Sequence, residues 1–447
     1  YFHIYEIKLV IFRLLPEIKM PLPLELQSAW RANARSTAID VPLSPAESVD
    51  VVIVGAGFLG LSAALDLARQ GKRVRVLEAK AVGEGASGLN GGQVIPGLKY
   101  DPDWLLENFG EARGQTLIAF AASTADCVFD LISRELLDVP RVRNGWIQAA
   151  HTEKALAAAR RRDAQWRARG ADVRMLDARE IESLTGARGY LGGWLDGRAG
   201  IINPLSFVSE LAVTAAKAGV QIAERTKVRS VRQENGGWVV QVADGRSVRS
   251  RFVIIATNAY SDQLVPGLAR SIVPLHSFQI ATDPLPDHLR RIILPDEQAV
   301  SDSRRILVYY RKSADGRLVL GGRGRMAEPK SKSDWKHLER AMRRLYPELA
   351  DIPIARRWFG RVAMTPDHLP HIHEPEPGLL TVVGCQGRGV GVMTALGQRF
   401  ARYIDTGDRA VLPFPVTPIR PIPLHAFRQV GVAATIAWYR LLDALEK

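Results

Sequence analysis

The run from Val51 to Glu78 carries one complete pattern: an apolar strand, Val51-Val52-Ile53-Val54, a glycine turn, Gly55-Ala56-Gly57-Phe58-Leu59-Gly60, an Ala/Leu-rich helix, a second strand, Val74-Arg75-Val76-Leu77, and a closing acid, Glu78. In such a unit Gly55 permits the tight turn, Gly57 lets a diphosphate approach the backbone, and Gly60 lets the helix lie close on the strand. The helix N-terminus, opening at Phe58, offers unpaired N–H groups and a partial positive charge to phosphates. Glu78 lies 18 residues beyond Gly60, close to the roughly 20 expected of an acid that accepts both ribose hydroxyls. A bare G-x-G-x-x-G arises by chance in loops. Here strand, helix and acid agree, and a parallel α/β sheet with a dinucleotide site follows. The fingerprint alone does not choose between FAD and NAD.

The next segment bears on that choice. Gly83-Glu84-Gly85-Ala86-Ser87-Gly88-Leu89-Asn90-Gly91-Gly92-Gln93 follows almost directly on the acid. A stretch of small residues there lets the chain run along a second phosphate and then under an extended ring system, which favours FAD. An ordinary glycine-rich loop is the alternative.

A chain of 447 residues buries two sizeable cores, so two interleaved domains are expected. With 47% hydrophobic and 24% charged residues, the composition gives no case for disorder. Cys127 and Cys385 stand far apart and form no metal-ligand spacing. No metal site is expected, and a reducing cytoplasm fits that cysteine usage. The net charge of +13 raises nucleic acid or an anionic membrane as partners. Much of it is Arg on helices, as in Arg160-Arg161-Arg162 and Arg167 with acids interspersed. That pattern reads as a solvated face, so no nucleic-acid partner is expected. Residues 1–19 carry a short apolar stretch, Leu9-Val10-Ile11-Phe12, broken by Arg13 and Pro16, which is not a clean secretory leader. Met20-Pro21 reads as the natural start. No run reaches the roughly 18 consecutive apolar residues of a membrane-spanning helix.

Periodicity places a helix over 104–137, a strand over 141–150, a helix over 153–170 and a crossover between domains from Asp177 to Pro204. A helix over 205–218 and strands over 221–228, 238–242 and 252–256 follow. The run Phe252-Val253-Ile254-Ile255 is continuous and β-branched, as a buried parallel strand should be. It ends at Thr257-Asn258, where such strands open on a ligand crevice. Longer alternating strands from Ile272 and a charged helix over 335–345 indicate a second domain. The expected division is an N-terminal extension and arm (1–47), three nucleotide-binding parts (48–140, 200–271 and 358–425), two substrate-domain parts (141–199 and 272–357) and a C-terminal helix (426–447).

Several separated motifs together resemble the D-amino-acid-oxidase-like family of FAD-dependent oxidoreductases, and within it the gamma-glutamylputrescine oxidoreductase branch. They are GAGFLGLSAAL with Glu78; GEGASGLNGGQVIPGLK at 83–99; ATNAYSD at 256–262; Tyr309-Tyr310-Arg311 with Asp315-Gly316-Arg317; and GRVAMTPDHLPHI followed by GCQGRGVGVMTALG. The resemblance covers nearly everything from about Leu24 onward. It implies an α/β fold with a Rossmann-like FAD-binding domain on a parallel sheet and a substrate domain on an antiparallel sheet. It implies FAD as cofactor, a small-molecule amine as substrate and molecular oxygen or another acceptor for the electrons.

The implied cofactor-binding residues are Gly55, Gly57, Phe58, Gly60, Glu78, Ala79, Ala86, Ser87, Asn90, Gly91, Gly92 and Gln93, then Val228, Thr257 and Asn258, and finally Gly387, Arg388, Gly389, Val390 and Gly391. A plain core valine is an equal reading of Val228. Arg388, Tyr309, Tyr310 and Arg311 are candidates for the substrate cavity, with core packing an equal reading for the tyrosines. His371 and His373 are expected on opposite strand faces, with at most one inward. Where covalent flavoproteins of the family carry a tethering Cys, this chain has Gly360, so the FAD is expected to be noncovalent. Where sarcosine oxidases carry a Lys for the substrate carboxylate, it has Gly391. An unpaired buried carboxylate is costly, so the resemblance points to a longer amine, a polyamine or its gamma-glutamyl conjugate. Two alternatives stay open: a dehydrogenase delivering electrons to a quinone or protein at a membrane, where the C-terminal stretch 427–445 acquires a role, and a noncatalytic flavoprotein subunit.

Overall fold

The structure is a computed structural model and describes residues 27–34, 39–304 and 307–445. The expectation about Met20 and its preceding residues lies outside them. Short β-branched runs build a six-stranded sheet in the order Gln221–Ala223, Val74–Leu77, Val51–Val54, Phe252–Ile255, Leu379–Val383 and His371–His373. The first five are parallel and the last is antiparallel to its neighbour. Val51–Val54 and Leu379–Val383 are buried throughout, as strands covered on both faces must be.

Helix Phe58–Arg69 follows the first of these strands and packs against helix Gly389–Thr406. Their approach is close because position 397 is glycine. A Cβ there would lie 2.5 Å from the Leu59 carbonyl oxygen, and beside it the Ser62 hydroxyl donates to the Thr394 carbonyl at 2.9 Å. Helix Pro204–Lys217 covers the other flank through Phe207, 5.2 Å from the Phe58 ring. It starts sharply. Asn203 Oδ1 accepts the N–H groups of Leu205 and Ser206 at 3.1 Å each, and Pro204 occupies the first helical position, where its missing N–H costs nothing.

The segment Pro102–Arg134 forms two helical parts broken at Gly110, which has φ 72°. By length and hydropathy this is the one helix among the described residues able to cross a membrane, but Leu117, Phe120, Ala121, Ala125 and Val128 are buried in the core of this protein.

A second sheet has eight strands in the order Ile354–Met364, Val273–Pro284, Arg317–Arg323, Val308–Lys312, Ala299–Asp302, Trp146–Ala150, Gly192–Asp196 and Val173–Asp177. It is antiparallel except where Ala299–Asp302 runs parallel to Trp146–Ala150, so the expected antiparallel sheet is mixed at one step. Helix Lys336–Leu345 packs Leu338, Met342 and Leu345 on it.

Four expectations differ from the structure in detail. The strand expected over 141–150 is two strands: Arg141–Val142 pairs with Gly200–Ile202 in a small three-stranded sheet, and Trp146–Ala150 joins the eight-stranded one. The strand expected over 221–228 is two strands. Gln221–Ala223 joins the six-stranded sheet and Val228–Glu234 a separate four-stranded one, because Arg225, at φ 49°, and Thr226 donate to the carbonyls of Lys80 and Glu78 and carry the chain across. The crossover expected from Asp177 contains helix Ala178–Thr185, fixed by a reciprocal capping box between Asp177 and Glu180. His371 and His373 share one face of their strand, with rings 6.0 Å apart and stacked, since side chains two residues apart on a strand point the same way.

Arg75 is 1% exposed on Val74–Leu77, the second strand of the six-stranded sheet. Its guanidinium donates to both carboxylate oxygens of Glu47, at 2.9 and 2.6 Å, and to the Val41 carbonyl at 2.9 Å. Removing one member of such a pair strands a buried charge. Glu47→Ala is expected to lower stability by about 3–5 kcal/mol, whereas the double replacement Arg75→Met, Glu47→Met should cost much less. Urea unfolding of the two variants checks this, and equal losses would refute it.

Candidate active site

The turn after Val51–Val54 and the segment after Glu78 meet at one point. A Cβ at Gly60 would collide with the Gly55 carbonyl oxygen, and Gly55 has φ 109° and lies against Ala256, next to the predicted Thr257 and Asn258. Asn258 Oδ1 accepts the Gly384 N–H at 3.1 Å, which links the end of strand Phe252–Ile255 to the C-terminal glycine cluster. Ser87 Oγ accepts the Phe58 N–H at 3.0 Å, and a Cβ at Gly57 would lie 2.9 Å from that oxygen. The helix tip is therefore approached only by small groups. Glu78 Oε2 accepts the Ala56 N–H at 2.8 Å and Oε1 the Lys80 N–H at 3.0 Å. A carboxylate accepts about four hydrogen bonds, so capacity for a pair of hydroxyls is left. A helix tip open to a diphosphate and an acid with spare acceptor capacity fit FAD.

Of the remaining predicted cofactor residues, Ala79 is exposed, and Ala86 opens a short helix, Ala86–Leu89, inside the small-residue stretch for which a glycine-rich loop is the alternative reading. Val228 is buried beside Leu77 in the core behind the sheet, so its side chain is a core valine.

The loop that follows is pinned at its backbone. Trp30 Nε1 donates to the Asn90 carbonyl at 2.8 Å, and Gln279 Nε2 and Trp358 Nε1 donate to the Leu89 carbonyl at 2.6 and 3.1 Å. The Asn90 side chain closes the loop on itself, donating to the Ala86 and Ser87 carbonyls and accepting the Gly92 N–H at 2.8 Å. Gln93 Nε2 crosses to the carbonyls of Val300 and Tyr310, both at 3.2 Å, which makes it a splint between the sheets.

The three candidates of Val308–Lys312 separate by strand parity. Tyr309 covers Gly91 and Gly321: a Cβ on Gly91 would lie 2.6 Å from its ring. Its hydroxyl bonds Ser277 Oγ at 2.8 Å, and burial pushes its pKa up to about 12. Tyr310 points the other way, edge-on to Tyr346 with centroids 5.9 Å apart in the second core, so core packing is its role. Arg311 returns to the side of Tyr309. Its Nη1 donates to the carbonyls of Gly92 and Ile202 at 3.2 and 2.8 Å, with the guanidinium 4.6 Å over Trp30.

The C-terminal glycines also divide. Gly387, at φ 79°, has open space at its Cβ position, and Gly389 begins helix Gly389–Thr406 beside Cys385. Val390 is buried in the first core. A Cβ at Gly391 would lie 2.9 Å from the Thr124 carbonyl oxygen, so this position faces the long helix.

Arg388 folds back from that helix start, with Nη1 2.5 Å from the Pro96 carbonyl oxygen and the guanidinium 5.6 Å over Trp146. Burial, and then repulsion from Arg162, lower its pKa to about 10. Arg162 is paired with Asp101 at 2.7 Å and bonded to Gln148. At the rim, crowding by neighbouring protein and then Arg388 and Arg162 lower the pKa of Lys99.

Sequence reading missed Lys99, Arg162 and Trp146, and took the Arg160-Arg161-Arg162 run for a solvated face. The signal for Arg162 was available: it lies next to Asp163 on the helix side that buries Leu156, Ala159 and Trp166. Trp146 and Lys99 come from segments remote in sequence and carry no local signature.

The chain matches the family described as FAD dependent oxidoreductase over residues 50–403. It is 33% identical to a probable oxidoreductase, OrdL, of Haemophilus influenzae, with 94% of this chain and 99% of that one covered. It is 30% identical to the gamma-glutamylputrescine oxidoreductase of Escherichia coli, with 94% and 98% covered. In structure it resembles glycine oxidase from Geobacillus kaustophilus with a TM-score of 0.70 at 22% identity, covering 84% of this chain and 99% of that one, which supports the two-sheet fold. The protein belongs to the DAO family of FAD-dependent oxidoreductases.

Proposed function

We propose that this enzyme oxidises the C–N bond of an amine whose far end carries a carboxylate, with a gamma-glutamylated polyamine as the favoured substrate and oxygen as acceptor. The observation that carries this reading is the guanidinium of Arg388, reinforced by Arg162 and Lys99 and lying over Trp146 beside the flavin loop. When bound, FAD supplies the electron sink for the oxidation, and the substrate leaves as an imine that water hydrolyses to an aldehyde and an amine. The chain's own residues bind and orient. The tip of helix Phe58–Arg69, with Gly57 and Ser87, receives the diphosphate, Glu78 the ribose, and the backbone of Asn90–Gly92 the ring edge. Arg388 presents a planar fork that matches a carboxylate. Trp146 gives an apolar wall for a methylene chain. The relative named for gamma-glutamylputrescine supports the substrate class. We place the enzyme in the cytoplasm, in polyamine catabolism.

A second reading, delivery of electrons to a membrane quinone, has one observation in its favour. Helix Arg428–Leu445 and the turn before it leave Phe427, Val430 and Trp438 at 65%, 68% and 56% exposure. Stoichiometric hydrogen peroxide during turnover separates oxygen from such an acceptor.

The cofactor assignments have direct checks. Acid precipitation should release intact FAD into the supernatant, because Gly360 provides no thiol for a tether; flavin remaining in the pellet refutes this. Gly57→Val should abolish FAD retention. Glu78→Ala should weaken FAD binding through two charge-assisted hydrogen bonds, each contributing about 1.5–3 kcal/mol, with little change in turnover at saturating FAD. Equilibrium dialysis reads both variants.

The substrate assignment is checked by anaerobic stopped-flow reduction. Gamma-glutamylputrescine should bleach the flavin rapidly, and sarcosine and free D-amino acids should not. Arg388→Ala should raise KM for the conjugate by about 10- to 100-fold, the equivalent of one lost charge-assisted interaction, and change KM for putrescine little. Rapid bleaching by sarcosine alone would overturn the substrate while leaving fold and cofactor intact.

A further inference from the structure

Behind the flavin loop, on the side of Trp30, a cavity of about 220 Å³ is lined by Trp30, Asn203, Arg311, Glu297, Ser313 and Arg141 among others. Water occupies about 30 Å³ per molecule, so the space matches one small organic molecule of several heavy atoms.

Three charged side chains stand on its wall, the exposed Arg141 and, without pairing with each other, Arg311 and Glu297. Arg311 is 3% exposed and its Nε has no hydrogen-bond partner. Its other contacts are to carbonyl oxygens and to the Trp30 ring, and among the described residues no acid forms an ion pair with it. Burial lowers its pKa to about 9, with Glu297 and Asp315 opposing only through space. Glu297 is half-buried, held at φ 61°, and among the described residues its carboxylate forms no hydrogen bond or ion pair, with Arg311 and Lys312 acting on it only through space. A buried guanidinium without a counter-ion is costly, and an acid on the same wall repels a plain anion. A molecule carrying both charges relieves both.

We infer that this cavity is a binding site for a small ω-amino acid zwitterion, its carboxylate on the Arg311 guanidinium and its ammonium toward Glu297, separate from the substrate site at Arg388. Arg141, Ser313 and Asn203 supply the polar remainder of the wall. Arg311 also holds the Gly92 carbonyl, so the site adjoins the flavin loop from behind.

Anaerobic titration calorimetry of the holoenzyme with 5-aminopentanoate and pentanoate tests this. The zwitterion should bind at least about fivefold more tightly than the carboxylate, and Glu297→Gln should abolish that preference. Arg311→Gln should weaken both ligands at least about tenfold, whereas Arg388→Ala should leave their binding unchanged. If Arg311→Gln fails to retain FAD, Glu297→Gln, an exchange of one atom on a half-buried side chain, carries the test by itself. No binding to the wild-type protein, no preference for the zwitterion, a preference that survives Glu297→Gln, or binding lost in Arg388→Ala would overturn the assignment.

Discussion

Side chains from four separate parts of the chain hold the backbone carbonyls of Leu89, Asn90 and Gly92: Trp30 from the N-terminal arm, Gln279 and Trp358 from the two long strands of the eight-stranded sheet, and Arg311 from a third strand of that sheet. An Asn-Gly-Gly segment has much freedom to lose, about 1–2 kcal/mol per residue and more at glycine. A single hydrogen bond contributes about 1 kcal/mol. Several donors are therefore needed before one loop conformation dominates, and they are supplied across the junction between the two sheets. The loop's shape is thus a property of the assembled domains. Without the arm and the second sheet, the same residues form an ordinary glycine-rich turn.

This clamp also fixes how the sheets meet. Gln93 ties the loop to Ala299–Asp302 and Val308–Lys312, and Tyr309 closes the gap over Gly91 and Gly321, where no side chain fits. A shift of the eight-stranded sheet would move the loop carbonyls away from the donors of Gln279, Trp358 and Arg311 at once. The wall that carries Trp146 therefore has a set distance from the helix tips that receive the dinucleotide. Fixed placement of substrate against cofactor is what an oxidation with no protein acid–base pair requires of its protein.

The parts of this arrangement legible in the sequence are those whose causes are close in sequence. Gly60 is demanded by the Gly55 carbonyl, and Gly88 by the Gly83 carbonyl. A pattern of that kind survives in the order of residues. The strand split near Arg225 was hidden because its cause is the carbonyls of Glu78 and Lys80, far away in the chain. Gly391 looked like a missing carboxylate partner. In the fold it is small because the Thr124 carbonyl lies against it, so the absence of lysine there has a packing cause as well. The parity of Tyr309, Tyr310 and Arg311 was readable, but which parity faced the loop depended on strand order in a sheet assembled from both halves of the chain. Arg162 was masked by two neighbours that do face solvent.

Arg311 and Arg388 share a construction that explains why both stand out electrostatically. Each guanidinium touches a backbone carbonyl of one continuous segment, Gly92 and Pro96, and each lies over an indole, Trp30 and Trp146. Neither forms an ion pair among the described residues, although most arginines of this protein that hydrogen-bond a side chain do so with Asp or Glu. Carbonyl and indole contacts orient a cation without cancelling its charge, and burial then lowers both pKa values, to about 9 and about 10. A protein that stabilises itself elsewhere with carboxylates, as Arg75 with Glu47 shows, leaves these two guanidinium groups oriented and unneutralised. The charge they hold is available to a ligand, and the loop between them, which the rest of the fold immobilises, keeps the two sites apart.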